Sequence, residues 1–219
     1  MKRPSDPDAL FLETLVEGAA GLGIDLCGEG IDKIQAHRQV LMKWARKMNL
    51  TTVRDPEGMA ELLYLDSMML LPQLGPGCFL HDIGTGAGFP GLVVKACRTE
   101  ARVVLTEARQ KKVSFLRQAA REMQLSEGLE ILCRRLGHDS IEAGGWSDVV
   151  SRAAIPPAEW IRMGGPLVDR GGRLWIFLGQ PEELTSLDKD PQFEIADKIS
   201  YHLPRTAKDR LLVSLRRID

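Results

Sequence analysis

Between Phe79 and Gly91 the chain reads FLHDIGTGAGFPG, an apolar run passing into a turn that carries Gly84, Gly86, Gly88 and Gly91. With no side chains at Gly84, Gly86 and Gly88, the main chain can close on a bound ligand, and glycine also adopts the positive φ angles such a turn needs. The ligand class this suits is a nucleotide. The third glycine follows the second after two residues, whereas the dinucleotide fingerprint G-x-G-x-x-G places it after three, at a helix start that receives a pyrophosphate. About 20 residues past the loop, Arg102–Glu107 is a short β-branched run ending in a carboxylate. A Rossmann-like fold offers an acid there to the ribose hydroxyls of an adenosine ligand. Taken singly, Glu107 is a solvated glutamate at a strand end, and the glycines are a structural turn or another nucleotide loop. The two in register favour a ligand site, with Glu107 as the ribose ligand.

Those groups need a scaffold that brings them side by side. From Cys78 onward apolar runs alternate with helical ones, and strands are expected near residues 78–83, 102–106, 129–133, 147–151 and 172–178. Such alternation predicts an α/β fold, a parallel sheet with helices on both faces. The last two runs, Phe193–Leu203 and Leu211–Ile218, are joined by the polar turn Pro204–Arg210 with no helix between them, which predicts an antiparallel hairpin at the sheet edge. In an open sheet of this kind the ligand sits beyond the carboxyl ends of the strands, so functional residues should follow Ile83, Leu105, Cys133 and Val150. The first 75 residues read as helices. Ser5 can cap one starting near Pro7. A second carries Ile31, Ile34, Leu41, Trp44 and Met48 at helical spacing, and Asp55-Pro56 starts a third that runs to Pro72. With Leu74-Gly75-Pro76-Gly77 as hinge, the chain divides into a helical part, residues 1–75, and a ligand-binding part, residues 76–219.

At 219 residues and 44% hydrophobic content the chain can bury a real core. No run approaches the roughly 18 apolar residues of a membrane helix. The start leads into acidic sequence with no signal-type apolar core, so no membrane partner and a cytoplasmic location are expected. Cys27, Cys78, Cys97 and Cys133 lie far apart with no C-x-x-C pair. That spacing suggests neither zinc nor a disulfide framework and leaves buried thiols as the expectation. A net charge of −1 argues against a protein that coats nucleic acid indiscriminately. The charge is unevenly spread, however: residues 98–135 hold nine basic and five acidic side chains, and residues 1–30 hold two basic and six acidic ones.

The compact glycine spacing resembles motif I of the S-adenosylmethionine-dependent methyltransferases. Combined with Met48-Asn49-Leu50-Thr51, Leu65-Asp66-Ser67, Phe89-Pro90-Gly91, Phe115-Leu116-Arg117-Gln118 and Ser151-Arg152-Ala153, in that order, the chain is similar to the glucose-inhibited division protein B family, the 16S ribosomal RNA guanine-N7 methyltransferases, over about residues 31–218. The resemblance implies a Rossmann-like methyltransferase fold, a seven-stranded mostly parallel sheet with an antiparallel C-terminal hairpin, behind the helical N-terminal part. It also implies S-adenosylmethionine as methyl donor, leaving as S-adenosylhomocysteine, no metal, and as target a guanine near the decoding site of the small ribosomal subunit. By motif, the cofactor-binding set is Asp82, Gly84, Gly86, Gly88 and Phe89 of the loop, Glu107, then Leu136 and Gly137 where the family encloses the adenine, and Arg152 after the fourth strand. The chain departs from the family pattern in having Gly137 at a commonly acidic position, Leu63 where a histidine is usual and Leu178 where a lysine is common. An adenine contact at Gly137 would have to come from backbone or from Asp139.

Guanine N7 suits a methyl transfer that has no general base, because it carries an in-plane lone pair and no proton. Exocyclic-amine enzymes use an Asn or Asp followed by Pro-Pro and an aromatic after the fourth strand; Ser151–Pro157 keeps the Pro-Pro without the acid, amide or aromatic. Pyrimidine C5 enzymes need a cysteine there, and none is present. Arg152 is the catalytic candidate, holding guanine O6, a phosphate or the methionine carboxylate, since a bidentate grip on O6 and N7 would block the acceptor atom. Its structural alternative is an ion pair with a carboxylate such as Asp148. Arg109, Lys111, Lys112, Arg117, Arg134 and Arg135, and more weakly Arg210, are candidates for phosphate contacts. Trp44, Trp160, Trp175 and His81 read as core, Trp146 as a loop residue, and His37, His138 and His202 show no ligand spacing. The partner expected is 16S ribosomal RNA or the small subunit, with no obligate protein partner. Three other readings stay open: a methyltransferase of the same fold for a small molecule or protein, a non-catalytic RNA-binding module, and, against the glycine spacing, a nicotinamide enzyme.

Overall fold

The computed structural model describes residues 6–139, 141, 144–179 and 190–219. Seven strands form one sheet in the order β3-β2-β1-β4-β5-β7-β6: β1 (Phe79–Ile83), β2 (Arg102–Glu107), β3 (Leu129–Cys133), β4 (Trp146–Ser151), β5 (Val168–Leu178), β6 (Phe193–Leu203) and β7 (Lys208–Arg217). The first five run parallel, and β7 lies antiparallel between β5 and β6. The expected parallel sheet with a C-terminal hairpin is thus the observed one. The main shift is at β5, which begins four residues earlier than the apolar run because Val168–Gly171 extends it past a register irregularity against β4.

One face carries α1 (Pro7–Gly21), α2 (Gly28–Ala45), α5 (Gly91–Cys97) and α6 (Gln110–Glu122), with α3 (Pro56–Met59) and α4 (Asp66–Met68) between them and the sheet edge; the opposite face carries α7 (Pro157–Gly164). Period-two alternation on the strands feeds both faces. On β5, Trp175 and Phe177 point to the first apolar cluster while Leu174, Ile176 and Leu178 point to the second. The helical N-terminal residues share the first cluster with the strands, so Phe11, Leu15, Ile34, Leu80 and Leu105 belong to one core.

Local signals account for the helix ends. The side chain of Asp6 caps α1 by accepting from Asp8 N at 3.1 Å, whereas the expected cap, Ser5, lies outside the described residues. Asp55 caps α3 through Gly58 N, with Pro56 at the first helical position. The third helix departs from expectation in the middle: residues Ala60–Leu65 form a π-helical segment before α4 resumes. Buried Glu61 on that segment accepts from Arg205 N (2.7 Å) and Thr206 N (2.6 Å), fastening the β6–β7 turn to it. Trp160, Trp175 and His81 are buried as expected, but Trp44 is only partly so. Trp146 opens β4 and stacks on His81 at 4.1 Å rather than lying in a loop. The expectation of four buried thiols fails for Cys27 and Cys133, which are exposed, Cys27 just before a helix and Cys133 at a strand end beside the sheet rim.

The α2–α6 contact is anchored by Phe115, fully buried with its ring 5.8 Å from His37 and 5.9 Å from Trp44. Phe115→Ala is expected to destabilise the fold by about 3–5 kcal/mol, read from urea unfolding midpoints at unchanged slope.

Candidate cofactor and nucleic-acid site

A cavity of about 520 Å³ opens beyond the carboxyl ends of β1, β2, β3 and β4, with Gly84, Glu107, Leu136 and Ala154 in its walls. It begins where β1 gives way to the glycine turn. Gly84 N donates to Thr106 O at 2.8 Å, so the turn leaves the sheet pinned to β2. Gly84, Gly86 and Gly88 have φ of +70°, +61° and +88°, angles that cost an L side chain roughly 1–2 kcal/mol. A Cβ on Gly84 would also stand 2.8 Å from Ala154 Cβ across the turn. Gly88 serves a different purpose: a Cβ there would meet Leu92 at 2.5 Å, so this glycine lets α5 lie close to the loop and faces away from the cavity.

Asp82, fully buried at the end of β1, organises the turn. Its Oδ2 accepts from Thr85 Oγ1 (2.6 Å) and Gly91 N (2.8 Å), while its Oδ1 is buried with no hydrogen-bond partner among the described residues. Burial raises its pKa from 3.8 to about 7, against the pull of the Thr85 and Gly91 hydrogen bonds and the Arg152 charge. The Glu107 carboxylate lies at the cavity wall and does not project into solvent: Oε2 accepts from Gly86 N (3.2 Å), Oε1 accepts from Arg109 N (2.9 Å), and Lys112 Nζ is 3.9 Å away.

Behind the loop stands His37, a residue that showed no ligand spacing in the sequence. Its Nε2 is 3.0 Å from Ala87 O and its Nδ1 is 2.8 Å from Tyr64 Oη. Burial lowers its pKa to about 4, so the ring is neutral at pH 7. A carbonyl can only accept; Nε2 therefore donates to Ala87 and Nδ1 accepts from Tyr64. Phe89 closes the same cluster, its ring 5.2 Å from His37 and 5.1 Å from Tyr64, inside the core rather than on the cavity wall.

Arg152 follows β4 and reaches back to the π-helical segment. Its Nη1 donates to Asp66 Oδ2 (2.9 Å), Ser67 Oγ (3.1 Å) and the carbonyls of Leu62 and Leu63 (both 3.3 Å), with the guanidinium 5.3 Å from the Phe89 ring centre. Carbonyls released from regular i→i−4 bonding in a π segment are natural acceptors for such a group. The ion pair is thus with Asp66, not with Asp148, whose Oδ1 accepts from Trp175 Nε1 at 2.8 Å and Arg173 Nε at 3.1 Å. Asp66 in turn accepts from Tyr201 Oη at 2.6 Å and lies 3.7 Å from Arg210 Nε. Beyond Arg152 the chain turns at Ala153, φ +55°, and delivers Ala154, Ile155 and Pro156 to the cavity wall.

The expected cationic residues divide. Arg109, Lys112, Arg134 and Arg135 line the cavity; Lys111 lines a separate cleft, Arg117 is exposed on α6, and Arg210 is drawn to Asp66. Leu136 lines the cavity, whereas Gly137, φ +80°, turns beside Met163. Asp139 does not reach toward the ligand space; its Oδ2 accepts from Arg135 N at 2.6 Å. Leu178 is buried against the second apolar cluster. The sequence pattern did not mark His37, Tyr64 and Asp66 as supports, nor the α7 residues Glu159 and Met163 as cavity wall. Among the described residues no group of His, Cys, Asp or Glu is arranged to hold a metal ion.

Residues 30–213 match the GidB family model, described as rRNA small subunit methyltransferase G. The chain is 38% identical over 213 residues to the "Ribosomal RNA small subunit methyltransferase G" of Nitrosospira multiformis, covering 93% of this chain and 96% of that one. It is 39% identical over 206 residues to the protein of the same name from Methylobacillus flagellatus, with 93% and 97% covered. Among solved structures it resembles a SAM-dependent methyltransferase from Aquifex aeolicus, with a TM-score of 0.56 and 16% identity over 72% of this chain and 92% of that one, which is a likeness of fold.

The raised pKa of Asp82 makes stability depend on pH. The folded state holds a proton that the unfolded chain releases near pH 4, so stability declines as pH rises from about 4 through about 7. The melting temperature of the ligand-free protein should fall by about 5 °C more between pH 5 and pH 8 than that of Asp82→Asn, followed by circular dichroism. Equal slopes for the two proteins would contradict the assignment.

Proposed function

Since the chain belongs to the GidB family of small-subunit rRNA methyltransferases, we propose that it transfers the methyl group of S-adenosylmethionine to N7 of a guanine in 16S ribosomal RNA near the decoding site. The observation that carries this reading is the cavity in which Gly84, Glu107 and Leu136 meet the cationic Arg109, Lys112, Arg134 and Arg135.

The residues fit the cofactor. Glu107 accepts one hydrogen bond per oxygen from the backbone, and a carboxylate has about four lone-pair sites, so acceptors remain for two ribose hydroxyls. Gly84 offers main chain where a Cβ has no room, and Leu136 offers an apolar surface for the adenine. Asp82 Oδ1, buried and with no hydrogen-bond partner among the described residues, suits the ammonium end of the methionine moiety, which would also return Asp82 to its charged form. When bound, S-adenosylmethionine supplies an electrophilic methyl carbon on a sulfonium.

The protein's own part is alignment and exclusion of water, for which effective-concentration effects reach about 7–11 kcal/mol. Guanine N7 has no proton to remove, in keeping with a loop after β4, Ser151–Pro157, that presents neither an acid, an amide nor a cysteine. Arg152 holds the Asp66 segment through Nη1, and its Nε and Nη2 make no hydrogen bond to the described residues, which leaves them for guanine O6, a phosphate or the methionine carboxylate. The cavity-mouth cations take the phosphates, so affinity falls as salt rises. No helix among the described residues is long and apolar enough to cross a membrane, and the proposed place of action is the cytoplasm, on the small subunit or its RNA.

Mass mapping of methylguanine in ribosomal RNA from cells with and without the protein tests the reading: one 16S guanine should lose its N7 methyl group when the protein is absent. Saturable binding of NAD without binding of S-adenosylmethionine in calorimetry would reject it. Glu107→Gln should weaken S-adenosylmethionine binding roughly 10- to 100-fold, as expected for losing charge-assisted hydrogen bonds of about 1.5–3 kcal/mol. Gly86→Val, at φ +61°, should abolish that binding.

A further inference from the structure

A second cleft, of about 460 Å³, lies between the C-terminal half of α2 and the start of α6, walled by Lys43, Trp44, Lys47, Met48, Lys111 and Gln118. Its charges are not those of an ordinary solvated helix face. Residues 33–54 hold six lysines and arginines and no carboxylate. Three of the six are engaged: Lys33 with Glu29, Arg38 with Asp8, and Arg54 with the carbonyl of Ala45. The other three, Lys43, Arg46 and Lys47, are exposed and make no ion pair or hydrogen bond among the described residues, and the same is true of Lys111 across the cleft. Lys43 stands in the last turn of α2, and Arg46 and Lys47 lie just beyond its end.

The floor of the cleft is apolar and aromatic. Trp44 is only partly buried, although its helical spacing predicts a core position. Its indole N–H is already satisfied by Gln118 Oε1 at 3.0 Å, and its ring is held edge-to-face against Phe115 at 5.9 Å. What remains exposed of Trp44 is ring surface, beside Met48 and ringed by three lysines. Aromatic surface flanked by unpaired cations is the composition that binds single-stranded nucleic acid, through base stacking and phosphate contacts together.

The cleft and the cofactor cavity are separate openings whose walls adjoin at the first turn of α6. Lys112 lines the cavity and Lys111, its neighbour in the first turn of α6, lines the cleft. The N–H groups of Gln110 and Lys111 in that same turn have no intrahelical acceptor, which makes the turn favourable to a phosphate as well.

We propose that this cleft is a second RNA subsite, in which an unpaired nucleotide adjoining the target stacks on Trp44 and Met48 while Lys43, Lys47 and Lys111 hold its flanking phosphates. The proposal rests on the rRNA reading above and deepens it. Of the expected cationic residues, the cavity group Arg109, Lys112, Arg134 and Arg135 then serves the nucleotide being methylated, and Lys111 serves its neighbour.

The test compares the full-length wild type, the exposed-surface triple variant Lys43→Gln/Lys47→Gln/Lys111→Gln, and Trp44→Leu. Binding to protein-free 16S rRNA and to whole small subunits is measured against KCl concentration, S-adenosylmethionine affinity by calorimetry, and folding by melting temperature. The triple variant should keep its S-adenosylmethionine affinity, bind rRNA at least about tenfold more weakly at low salt, and lose about 2 from the slope of log affinity against log salt. Trp44→Leu should lose about 5- to 100-fold in rRNA affinity with the slope unchanged. Wild-type rRNA affinity and slope in the triple variant, alongside normal methylation by the wild type, would overturn the subsite and leave the proposed function standing. If the wild type binds S-adenosylmethionine but neither binds nor methylates rRNA, both fall. Weakened binding to whole subunits with unchanged binding to stripped rRNA would assign the cleft to a ribosomal protein and overturn the proposal.

Discussion

Asp82 Oδ2 accepts from Thr85 at one end of the glycine turn and from Gly91 at the other, so one buried oxygen holds both ends of the segment that fronts the cavity. The sheet requires this. Parallel strands β1 and β2 bring Ile83 beside Thr106, and the turn must leave that register, run past Glu107 and enter α5 within eight residues. Three glycines at positive φ make the path sterically open, and Asp82 makes it a single path. Burial raises the pKa of this carboxylate to about 7, against the pull of the hydrogen bonds from Thr85 and Gly91.

The strands and the loop were legible because their signals are local. Apolar runs of five or six residues, punctuated by glycine and proline, placed β1 to β4 within a residue or two, and the absence of a helical pattern between the last two runs gave the hairpin. The pairing of glycine turn and Glu107 is also short-range once the strand-helix-strand unit is recognised. The supports behind the site were not legible. His37 meets Ala87 across 50 residues, Arg152 meets Asp66 across 86, and Tyr201 meets Asp66 across 135. The π-helical segment was hidden as well: nothing in the residue types of Ala60–Leu65 marks it, yet it carries the Leu62 and Leu63 carbonyls that Arg152 binds. Trp44 shows the opposite failure, in which a correct helical spacing pointed to the core and the open face between α2 and α6 could not be seen from one helix alone.

The distribution of charge along the sequence gains meaning only in three dimensions. Part of the acidic excess of the first 30 residues is taken up in ion pairs, Asp8 with Arg38, Glu17 with Arg205 and Glu29 with Lys33. Other cations gather at the cavity mouth, Arg109, Lys112, Arg134 and Arg135, and in the cleft, Lys43, Lys47 and Lys111. A chain of nearly neutral net charge can in this way present one strongly positive side.

Tyr201 and Arg210 sit on β6 and β7, yet they hold Asp66, which in turn holds Arg152. Strand β7 moreover fills the place between β5 and β6, so the sheet is not finished until the last segment arrives. During synthesis the glycine turn and Glu107 leave the ribosome long before the hairpin does. A nascent chain therefore carries the cavity residues Gly84 and Glu107 before Tyr201 and Arg210 can hold Asp66. A product stopped between β5 and Tyr201 would lack both Tyr201 and Arg210, and with them the hold on Asp66.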